Sequence, residues 1–448
     1  MRLSLSSVAA TFMCVASTFA VTLDITSKDS VCSAASAILA GEMDYYMGTR
    51  YGGTVGMFSP PYYWWHAGEV FGGWVDYWYF CQKDNDTFTQ LLFNAMYDQR
   101  GANNDYMPSN QSMTEGNDDQ GVWGMAIMQA VERNFTNGDK SWLYMIQAVF
   151  NTMNNRWDPS TCQGGLRWQI FTWNSGYNYK NSIANGCLFH IAARLYRYTE
   201  QQVYLDAANR VFNWMWSVGF FSNTPEFIIY DGAEDTNNCT SLTIHKWSYT
   251  YGIFLAGSAY LYNATGDQKW LTSVNTILNA SSFFFNNSIM QESSCQPYKV
   301  CNNDQRSFRS LFSRCLGLTA TLVPSTYDQI VTGWLQPSAK GAAASCSGDG
   351  HNTCGQDWSL GSWDGMYGLG EQMSAMEVIM SMLTTQKDPL TPKTGGSTEG
   401  GDVSAGNTTI TGINENKINV TKGDTTGAAI LTAVVLSVVL GCAIWMLF

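Results

Sequence analysis

The sequence predicts an all-α protein that forms an (α/α)6 toroid, in which six helical hairpins surround one axis. Apolar residues recur at i, i+3 and i+4 through most of the 448-residue chain, which is typical of helices. Alternate helix starts recur about every sixty residues, and this steady period indicates a repeat architecture. The starts are also of two kinds, which suggests an inner and an outer ring.

The two kinds of helix start differ in composition. One kind is crowded with Trp, Tyr, His and Asp and leads into small and apolar residues, as from Gly252 to Ala259. Small residues allow close helix packing, so we expect these helices inside, with their N-termini at one mouth. They start near His66, Asp118, Lys180, Lys246, Asp304 and Asp364. The other kind follows turn-and-cap sequences, which is typical of outer helices. Those helices start near Ser30, Asp84, Asp139, Gln201, Asp267 and Thr326.

The N-terminal residues 1–20 are typical of a secretory signal, with Arg2 before an apolar core and a small-residue cleavage site. Nine N-x-S/T sequons agree with a secreted, glycosylated surface. Twelve cysteines drop to ten once Cys14 and Cys442 leave with the two end segments, so several disulfides are expected. The sequence leaves their pairing open. Two pairs are near enough to close small loops: Cys295 with Cys301, and Cys346 with Cys354.

The C-terminal part has the composition of a membrane anchor signal. Residues 386–427 are rich in Gly, Ser, Thr and Asn, which predicts a disordered stalk after a catalytic domain of residues 21–385. Residues 428–448 are apolar and uncharged, with no basic residue after them. A small residue, a polar spacer and an apolar tail predict a GPI anchor at Asn419 or Gly423, with the tail removed. We therefore expect the protein at the outer face of the plasma membrane or in the cell wall. A single transmembrane helix is the alternative.

Composition and motifs exclude several classes of function. The net charge of −12 argues against nucleic acid and acidic lipid as partners. The sequence lacks the GxSxG, Walker and GxGxxG motifs, which are the main sequence signatures of esterases and of nucleotide- and dinucleotide-binding proteins. Neither CxxC nor HxxxH spacing occurs, so we expect no metal and no cofactor. Aromatic residues make up 14% of the chain and charged residues 13%, which suits stacking on neutral sugars or a large core.

The candidate catalytic residues are Asp118 and Asp119, in the stretch from Thr114 to Gly124. Both lie between a Gly-Asn turn and a helical run, where a single Asp would suffice as a helix cap. Capping is the alternative interpretation. The flanking glycines and tryptophan suit a cleft floor, and glycoside hydrolysis uses a pair of carboxylates. Neighbouring carboxylates fit the separation of about 5–5.5 Å that is typical of retaining enzymes.

Further candidate residues cluster at the predicted inner helix starts. Aromatic faces stack on pyranose rings, whereas carboxylate, amide and guanidinium groups bind hydroxyls. These candidates for substrate binding are Trp65, His66, Glu69, Trp123, Asn185, Trp247, Tyr249, Arg306, Trp363 and Asp364, together with Asp231 from the preceding loop. Core packing is the alternative for each aromatic residue, and a solvated loop is the alternative for Asp231.

The motif Asn117-Asp118-Asp119-Gln120 followed by Trp123-Gly124 resembles glycoside hydrolase family 76, the endo-α-1,6-mannanases. The runs Trp65–Glu69 and Trp247–Tyr249 extend the resemblance, which covers roughly residues 32–383. It is strongest to fungal cell-wall members that carry a signal peptide and a GPI anchor signal. The resemblance implies an (α/α)6 fold and a retaining mechanism, with Asp118 as nucleophile and Asp119 as acid/base.

The resemblance also implies a reaction and its partners. In the anchored fungal members the inferred role is transglycosylation, in which the mannose core of a GPI anchor is cut and its glycoprotein passes to wall glucan. The implied partners are thus α-1,6-mannosides, the GPI-anchor glycan and cell-wall glucan as acceptor, and we expect a monomer. The alternative is a catalytically idle mannan- or glucan-binding surface protein, which would not need both aspartates.

Overall fold

The computed structural model describes residues 20–111, 114–349, 352–406 and 422–445. The secretory signal up to residue 19 and the candidate anchor residue Asn419 lie outside the described residues. The α-helices α1 to α13 span, in chain order, Lys28–Met43, Trp64–Tyr77, Asp86–Asp98, Asn117–Glu132, Trp142–Asn155, Ser182–Thr199, Gln202–Ser217, Ser248–Thr265, Gln268–Ser281, Asn303–Leu322, Gln336–Ser345, Leu369–Thr384 and Lys422–Trp445.

The helices α2, α4, α6, α8, α10 and α12 form a closed inner ring, because each packs on the next and α12 packs on α2. The helices α1, α3, α5, α7, α9 and α11 pack outside this ring. The predicted toroid of six hairpins is therefore confirmed. Most helices begin within a few residues of the predicted starts, because caps and apolar periodicity define these helices locally.

The eleventh helix differs from the prediction. The sequence predicts a start near Thr326, whereas a π-helix spans Asp328–Leu335 and α11 begins only at Gln336. Pro337 lacks an N–H group, and its ring would clash with the carbonyl four residues before it. A regular α-helix cannot continue through this position, and the wider π turn precedes it. A second π-helix, Trp78–Gln82, follows α2.

Short antiparallel strands occupy the loops that lead into inner helices. Their bounds are Tyr179–Asn181 (β1), Phe221–Ser222 (β2), Ile228–Ile229 (β3), Gly232–Glu234 (β4), Leu242–Thr243 (β5), Phe285–Asn286 (β6) and Ile289–Met290 (β7). The strands β1, β4 and β5 form one sheet, with Lys180 opposite Ala233. The strands β2 and β3 form a pair, as do β6 and β7. The sheet of β1, β4 and β5 holds the ends of two loops beside the start of α6.

Glycine lets the inner helices approach closely. A Cβ atom added to Gly121 would lie 2.4 Å from Cβ of Cys187, and one added to Gly252 would lie 3.0 Å from Cβ of Cys315. These two buried cysteines are free thiols that pack between helices. Eight further cysteines form the disulfides Cys32–Cys81, Cys162–Cys239, Cys295–Cys301 and Cys346–Cys354. Both short loops predicted from spacing are therefore closed.

Buried ion pairs join the inner helices below the mouth. Arg133 of α4 lies 2.6 Å from Asp76 of α2, and Arg194 of α6 lies 2.6 Å from Glu132 of α4. Arg314 of α10 pairs with Glu377 of α12. Each side chain in these pairs is at most 5% exposed. The centre of the toroid is therefore a polar network as well as a packed core.

The C-terminal chain keeps contact with the domain beyond residue 386. The amide of Leu390 donates to the carbonyl of Glu132 at 3.0 Å. Farther along, the side-chain amide of Asn151 donates to the carbonyls of Val403 and Ala405 at 2.9 and 2.7 Å. Ala405 is only 1% exposed. Residues 387–406, which we call the C-terminal strap, are thus ordered against α4 of the inner ring and α5 of the outer ring. The composition shift at residue 386 correctly indicates the end of the last ring helix, but it does not mark the start of a free stalk.

Residues 428–445 of the apolar tail lie in helix α13, and Gly423 lies in its first turn. Within the described residues no helix meets the length and hydropathy expected of a membrane-spanning segment.

Candidate active site

A cleft of about 520 Å³ opens at the N-terminal ends of the inner helices. Five of these helices contribute through their first turns or the loops just before them: α2, α4, α6, α8 and α10. The toroid therefore brings side chains from residue 63 to residue 308 together at one mouth.

Asp118 and Asp119 lie on the floor of this cleft, in the first turn of α4. The carboxylate of Asp119 accepts a hydrogen bond from the amide of Gly116 at 2.6 Å. The carboxylate of Asp118 accepts one from the amide of Asp119 at 3.2 Å. Helix capping is therefore real at Asp119, but both residues also line the cleft. The two interpretations of the pair do not exclude each other.

The environment of the pair favours the protonated form. Burial raises the pKa of Asp118 well above its usual range, and the charge of Asp119 raises it further. Burial also raises the pKa of Asp119 to about 6, although the amide of Gly116 stabilises its ionised form. Two neighbouring carboxylates in a desolvated site do not ionise together, so the pair retains a proton near neutral pH. One group can then donate a proton while the other attacks as a carboxylate.

A third carboxyl group, that of Glu115, lies beside the pair. It lines the cleft and is 2% exposed, and neither of its oxygens has a hydrogen-bond partner within the described part of the chain. Burial and the charge of Asp119 raise the pKa of Glu115, whereas Arg156 opposes the shift. An ionised Asp119 thus favours the protonated form of Glu115, whereas Arg156 favours its ionised form.

Aromatic rings form the walls of the cleft. Trp65 stacks on His66 with ring centroids 3.8 Å apart, and Tyr249 stacks on Phe308 at 3.9 Å. Trp168 is 38% exposed and also hydrogen-bonds to Asp118. Rings that are fixed from behind and open in front offer rigid faces for a sugar ring.

Two further carboxylates line the cleft, those of Asp231 and Asp304. Asp231 accepts hydrogen bonds from Tyr179 at 2.6 Å and from the indole of Trp247 at 3.0 Å. Asp304 lies 3.4 Å from Nε2 of His66. Burial lowers the pKa of His66 to about 3, so the imidazole beside Asp304 is neutral. Within the described residues no group of three or more His, Cys, Asp or Glu side chains could hold a metal ion.

Residues 30–394 match Glycosyl hydrolase family 76. The chain belongs to this family. It is 60% identical over 432 residues to the mannan endo-1,6-alpha-mannosidase DFG5 of Candida albicans, covering 95% of both chains. It is 55% identical to the protein of the same name from Saccharomyces cerevisiae, covering 96% of this chain and 95% of the relative. The crystal structure of Dfg5 from Chaetomium thermophilum in complex with glucosamine superposes with a TM-score of 0.79 at 34% identity. That comparison covers 86% of this chain and 98% of the other.

Part of the predicted family 76 site does line the cleft. The predicted residues found there are Trp65, Asp118, Asp119, Asp231 and Tyr249. Two more, His66 and Trp247, lie directly behind the cleft, where they contact Asp304 and Asp231.

Three predicted residues lie deeper in the toroid. Glu69 is 1% exposed and accepts a hydrogen bond from Ser310 of α10. Trp123 is fully buried and donates its indole N–H to the carbonyl of Trp64 at 3.1 Å. Asn185 is fully buried and bonds both the amide and the carbonyl of Leu166. None of the three lines the cleft, because each lies below the mouth and holds helices or a loop together.

Three others lie at the rim but face protein groups. Arg306 pairs with Glu371 at 2.8 Å. Trp363 donates its indole N–H to the carbonyl of Met366 at 2.6 Å. Asp364 accepts hydrogen bonds from the amides of residues 356, 357 and 366. These side chains shape loops, and none of them lines the cleft.

The sequence interpretation missed several residues that line the cleft: Glu115, Trp168, Tyr179, Asp304 and Phe308. Asp304 could have been predicted from the sequence, because it lies in the first turn of an inner helix as Asp118 does. Trp168 and Tyr179 lie in a long loop before α6, whose path depends on tertiary contacts that the sequence does not reveal.

Proposed function

We propose that this family 76 protein is an endo-α-1,6-mannosidase that acts with retention and passes the cleaved glycan to a second glycan. The arrangement of Asp118 and Asp119 side by side on the floor of an aromatic-walled cleft is the observation that carries the proposal. The curated relatives named mannan endo-1,6-alpha-mannosidase support the linkage. The choice of transfer over hydrolysis rests on the proposed location among cell-wall glycans.

In the first step, Asp118 attacks the anomeric carbon of an α-mannoside while Asp119 protonates the leaving oxygen. The bond between the anomeric carbon and that oxygen breaks, and a glycosyl ester on Asp118 forms. In the second step Asp119, now ionised, takes the proton of an incoming hydroxyl, which attacks the same carbon and releases Asp118. Two inversions at one carbon return the α configuration.

The site supports a neutral sugar substrate. Aromatic faces at Trp65, Trp168 and Tyr249 suit pyranose rings, and Asp231 and Asp304 supply acceptors for hydroxyl donors. We propose the mannose core of a GPI anchor as donor. The binding of glucosamine by the Chaetomium relative supports this choice, because glucosamine adjoins the mannoses in such a glycan. Wall glucan is the proposed acceptor.

The proposed location is the outer face of the plasma membrane or the cell wall, through a GPI anchor at Asn419 or Gly423. The sequence pattern of both ends supports it. Mass spectrometry of the C-terminal peptide tests it: a glycolipid-linked peptide ending near these residues is expected, whereas an intact peptide containing Trp445 would contradict the anchor.

The function is tested with purified protein and an α-1,6-mannan oligosaccharide. We expect NMR to show an α product as the first anomer, and a labelled glucan or mannan acceptor to receive the glycosyl group. Asp118→Asn and Asp119→Asn should each lower turnover by about 10²-fold or more while the protein stays folded. Asp206→Asn, an exposed carboxylate on α7, is the matched control. A β product would contradict retention. If no labelled acceptor is extended under any condition, the enzyme is a hydrolase and not a transglycosylase.

A further inference from the structure

A second cavity, of about 330 Å³, adjoins the catalytic cleft, and we call it the side cavity. It is lined by the end of α5, by the loop that follows and by Asn117 at the start of α4. Gln169 lines both the cleft and the side cavity, and Asn117 is the neighbour of Asp118. The side cavity therefore lies next to the reacting groups without belonging to the cleft that holds them.

The loop around the side cavity is held firmly. The fully buried ammonium group of Lys180 donates to the carbonyls of Asp158, Thr161 and Gly164 at 2.9, 2.9 and 2.8 Å. The disulfide Cys162–Cys239 ties the same loop to the strand region before α8. Such a loop keeps its shape without a ligand, and a preformed site loses little conformational entropy on binding.

The charges that line the side cavity are compensated by protein groups. Arg167 lies 2.8 Å from Asp158 and also pairs with Asp235. Arg156 donates to the side chain of Asn117 at 2.6 Å and is attracted by Glu115. A phosphate or carboxylate ligand would have to displace these partners. A neutral ligand with many hydroxyl groups can form hydrogen bonds with the polar side chains that line the side cavity and leave these ion pairs intact.

The walls also suit a sugar. Trp157 and Tyr177 line the side cavity, and each ring is held by a guanidinium group, that of Arg210 at 4.4 Å and that of Arg167 at 4.5 Å. Ligand pockets usually measure about 300–1,000 Å³, so the volume suits a small ligand such as one or two sugar rings. We propose that the side cavity binds a neutral hexose of the acceptor glycan and presents that glycan to the glycosyl ester on Asp118.

This inference rests on the proposed transfer reaction. The acceptor hydroxyl attacks the anomeric carbon, Asp119 takes its proton, and the ester bond to Asp118 breaks, so that Asp118 leaves as a carboxylate. A sugar held in the side cavity gains proximity that water lacks, which shifts the partition between transfer and hydrolysis.

The test fills the side cavity. Asn155→Trp places a large ring at its edge, and Asn94→Trp makes the same change on the exposed face of α3 as a control. With a β-1,3-glucan hexasaccharide as acceptor, the ratio of transfer to hydrolysis products should fall about tenfold in Asn155→Trp and stay constant in Asn94→Trp. An unchanged ratio in Asn155→Trp would overturn the proposal. Ser160→Trp, at another point of the same wall, serves if Asn155→Trp fails to fold.

Binding is measured separately by saturation-transfer NMR with the same hexasaccharide. Signals that vanish in Asn155→Trp but persist in Asn94→Trp support the side cavity as a glycan site. Saturation-transfer signals of equal strength in both variants would mean that the hexasaccharide binds elsewhere, and this result would overturn the proposal. If the wild type only hydrolyses with every acceptor, the proposed transfer fails, whereas the NMR comparison still decides whether the side cavity binds a glycan.

Discussion

At the scale of single residues, Asp119 combines two functions that usually fall to different side chains. It caps α4 through the amide of Gly116 and lies in the cleft beside Asp118. The cap fixes the orientation of the carboxylate, as a catalytic acid requires. Asp118 accepts its own hydrogen bonds from the amide of Asp119 and from Trp168. These donors partly offset the rise in the pKa of Asp118 that burial and the charge of Asp119 cause.

Azide can identify the role of each aspartate. Azide is small enough to replace a missing carboxylate and attacks from the vacated side. We expect Asp118→Gly with azide to give a β-mannosyl azide, because one direct displacement inverts the carbon. Asp119→Gly with azide should give an α-mannosyl azide, because the ester on Asp118 still forms first. NMR determines the anomeric configuration of each mannosyl azide. An α azide from Asp118→Gly and a β azide from Asp119→Gly would mean that Asp119 is the nucleophile and Asp118 the acid/base.

The pH dependence of kcat/KM gives a second prediction. The pair needs one ionised and one protonated carboxyl to act, so activity should rise as pH rises through the pKa of about 6 at which Asp119 ionises. The charge of Asp304 raises that pKa. Asp304→Asn removes this contribution, so the acidic limb of the profile should move to lower pH. Asp206→Asn removes a charge on the outer helix α7 and should leave the limb in place. A limb that moves to higher pH in Asp304→Asn would contradict the electrostatic account.

At the scale of the helices, the buried ion pairs fix how the ring closes. Arg194 bonds Glu132 at 2.6 Å and Gln129 at 2.8 Å, and Tyr260 of α8 donates to the same glutamate at 2.8 Å. One carboxylate thereby joins α4, α6 and α8. Apolar packing alone would allow neighbouring helices to slide, whereas these bonds select one register.

Loss of one partner should be costly. Arg194→Met leaves Glu132 buried without its cation, and we expect the free energy of unfolding to fall by about 3–5 kcal/mol. Lys340→Met on α11, where the side chain is exposed, should cost less than about 1 kcal/mol. Urea unfolding followed by circular dichroism measures both variants. Equal and small effects would mean that the network contributes no more than surface contacts do.

The periodic pattern predicted the ring helices well but located the cleft only in part. Helix periodicity and caps are local, so the starts followed from the sequence. Glu69 and Trp123 lie about one turn beyond Trp65 and Asp119, and one turn of about 5.4 Å leads from the mouth into the core. A motif near a helix start therefore does not reveal which of its residues still reach the solvent. Trp168 was missed for the opposite reason, because its loop is positioned by Lys180 and a disulfide.

At the scale of the whole molecule, the C-terminal strap connects the two ends of the toroid. Leu390 bonds Glu132 at the C-terminal end of α4, which is the end away from the mouth. Ala405 bonds Asn151 near the C-terminal end of α5, and the next residues of α5 lead to Arg156, which contacts Asn117 at the mouth. Composition could not predict this path, because Gly, Ser and Thr bond mainly through backbone atoms whose partners are distant in sequence.

The strap limits how far an anchor could lie from the cleft. The thirteen residues from 407 to 419 span at most about 45 Å when fully extended. A chain that was free from residue 387 would have thirty-three residues from 387 to 419 and could span about 110 Å. If the proposed anchor is present, the strap keeps the cleft within reach of glycans at the membrane surface.

Hydrogen exchange tests whether the strap is bound in solution. We expect slow exchange at the amide of Asp402, which donates to Gln147 at 2.7 Å. Asn151→Ala removes two hydrogen bonds to the carbonyls of Val403 and Ala405, so local protection should fall by about 1–3 kcal/mol in residues 401–406. Protection near Leu390 should persist, since its bond to Glu132 is independent of Asn151. Asn154→Ala, one turn along α5, should leave the strap unchanged. Rapid exchange of residues 401–406 in the wild type would mean that the strap is not bound in solution. The distance from the cleft to any anchor would then be limited only by the longer free chain that begins at residue 387.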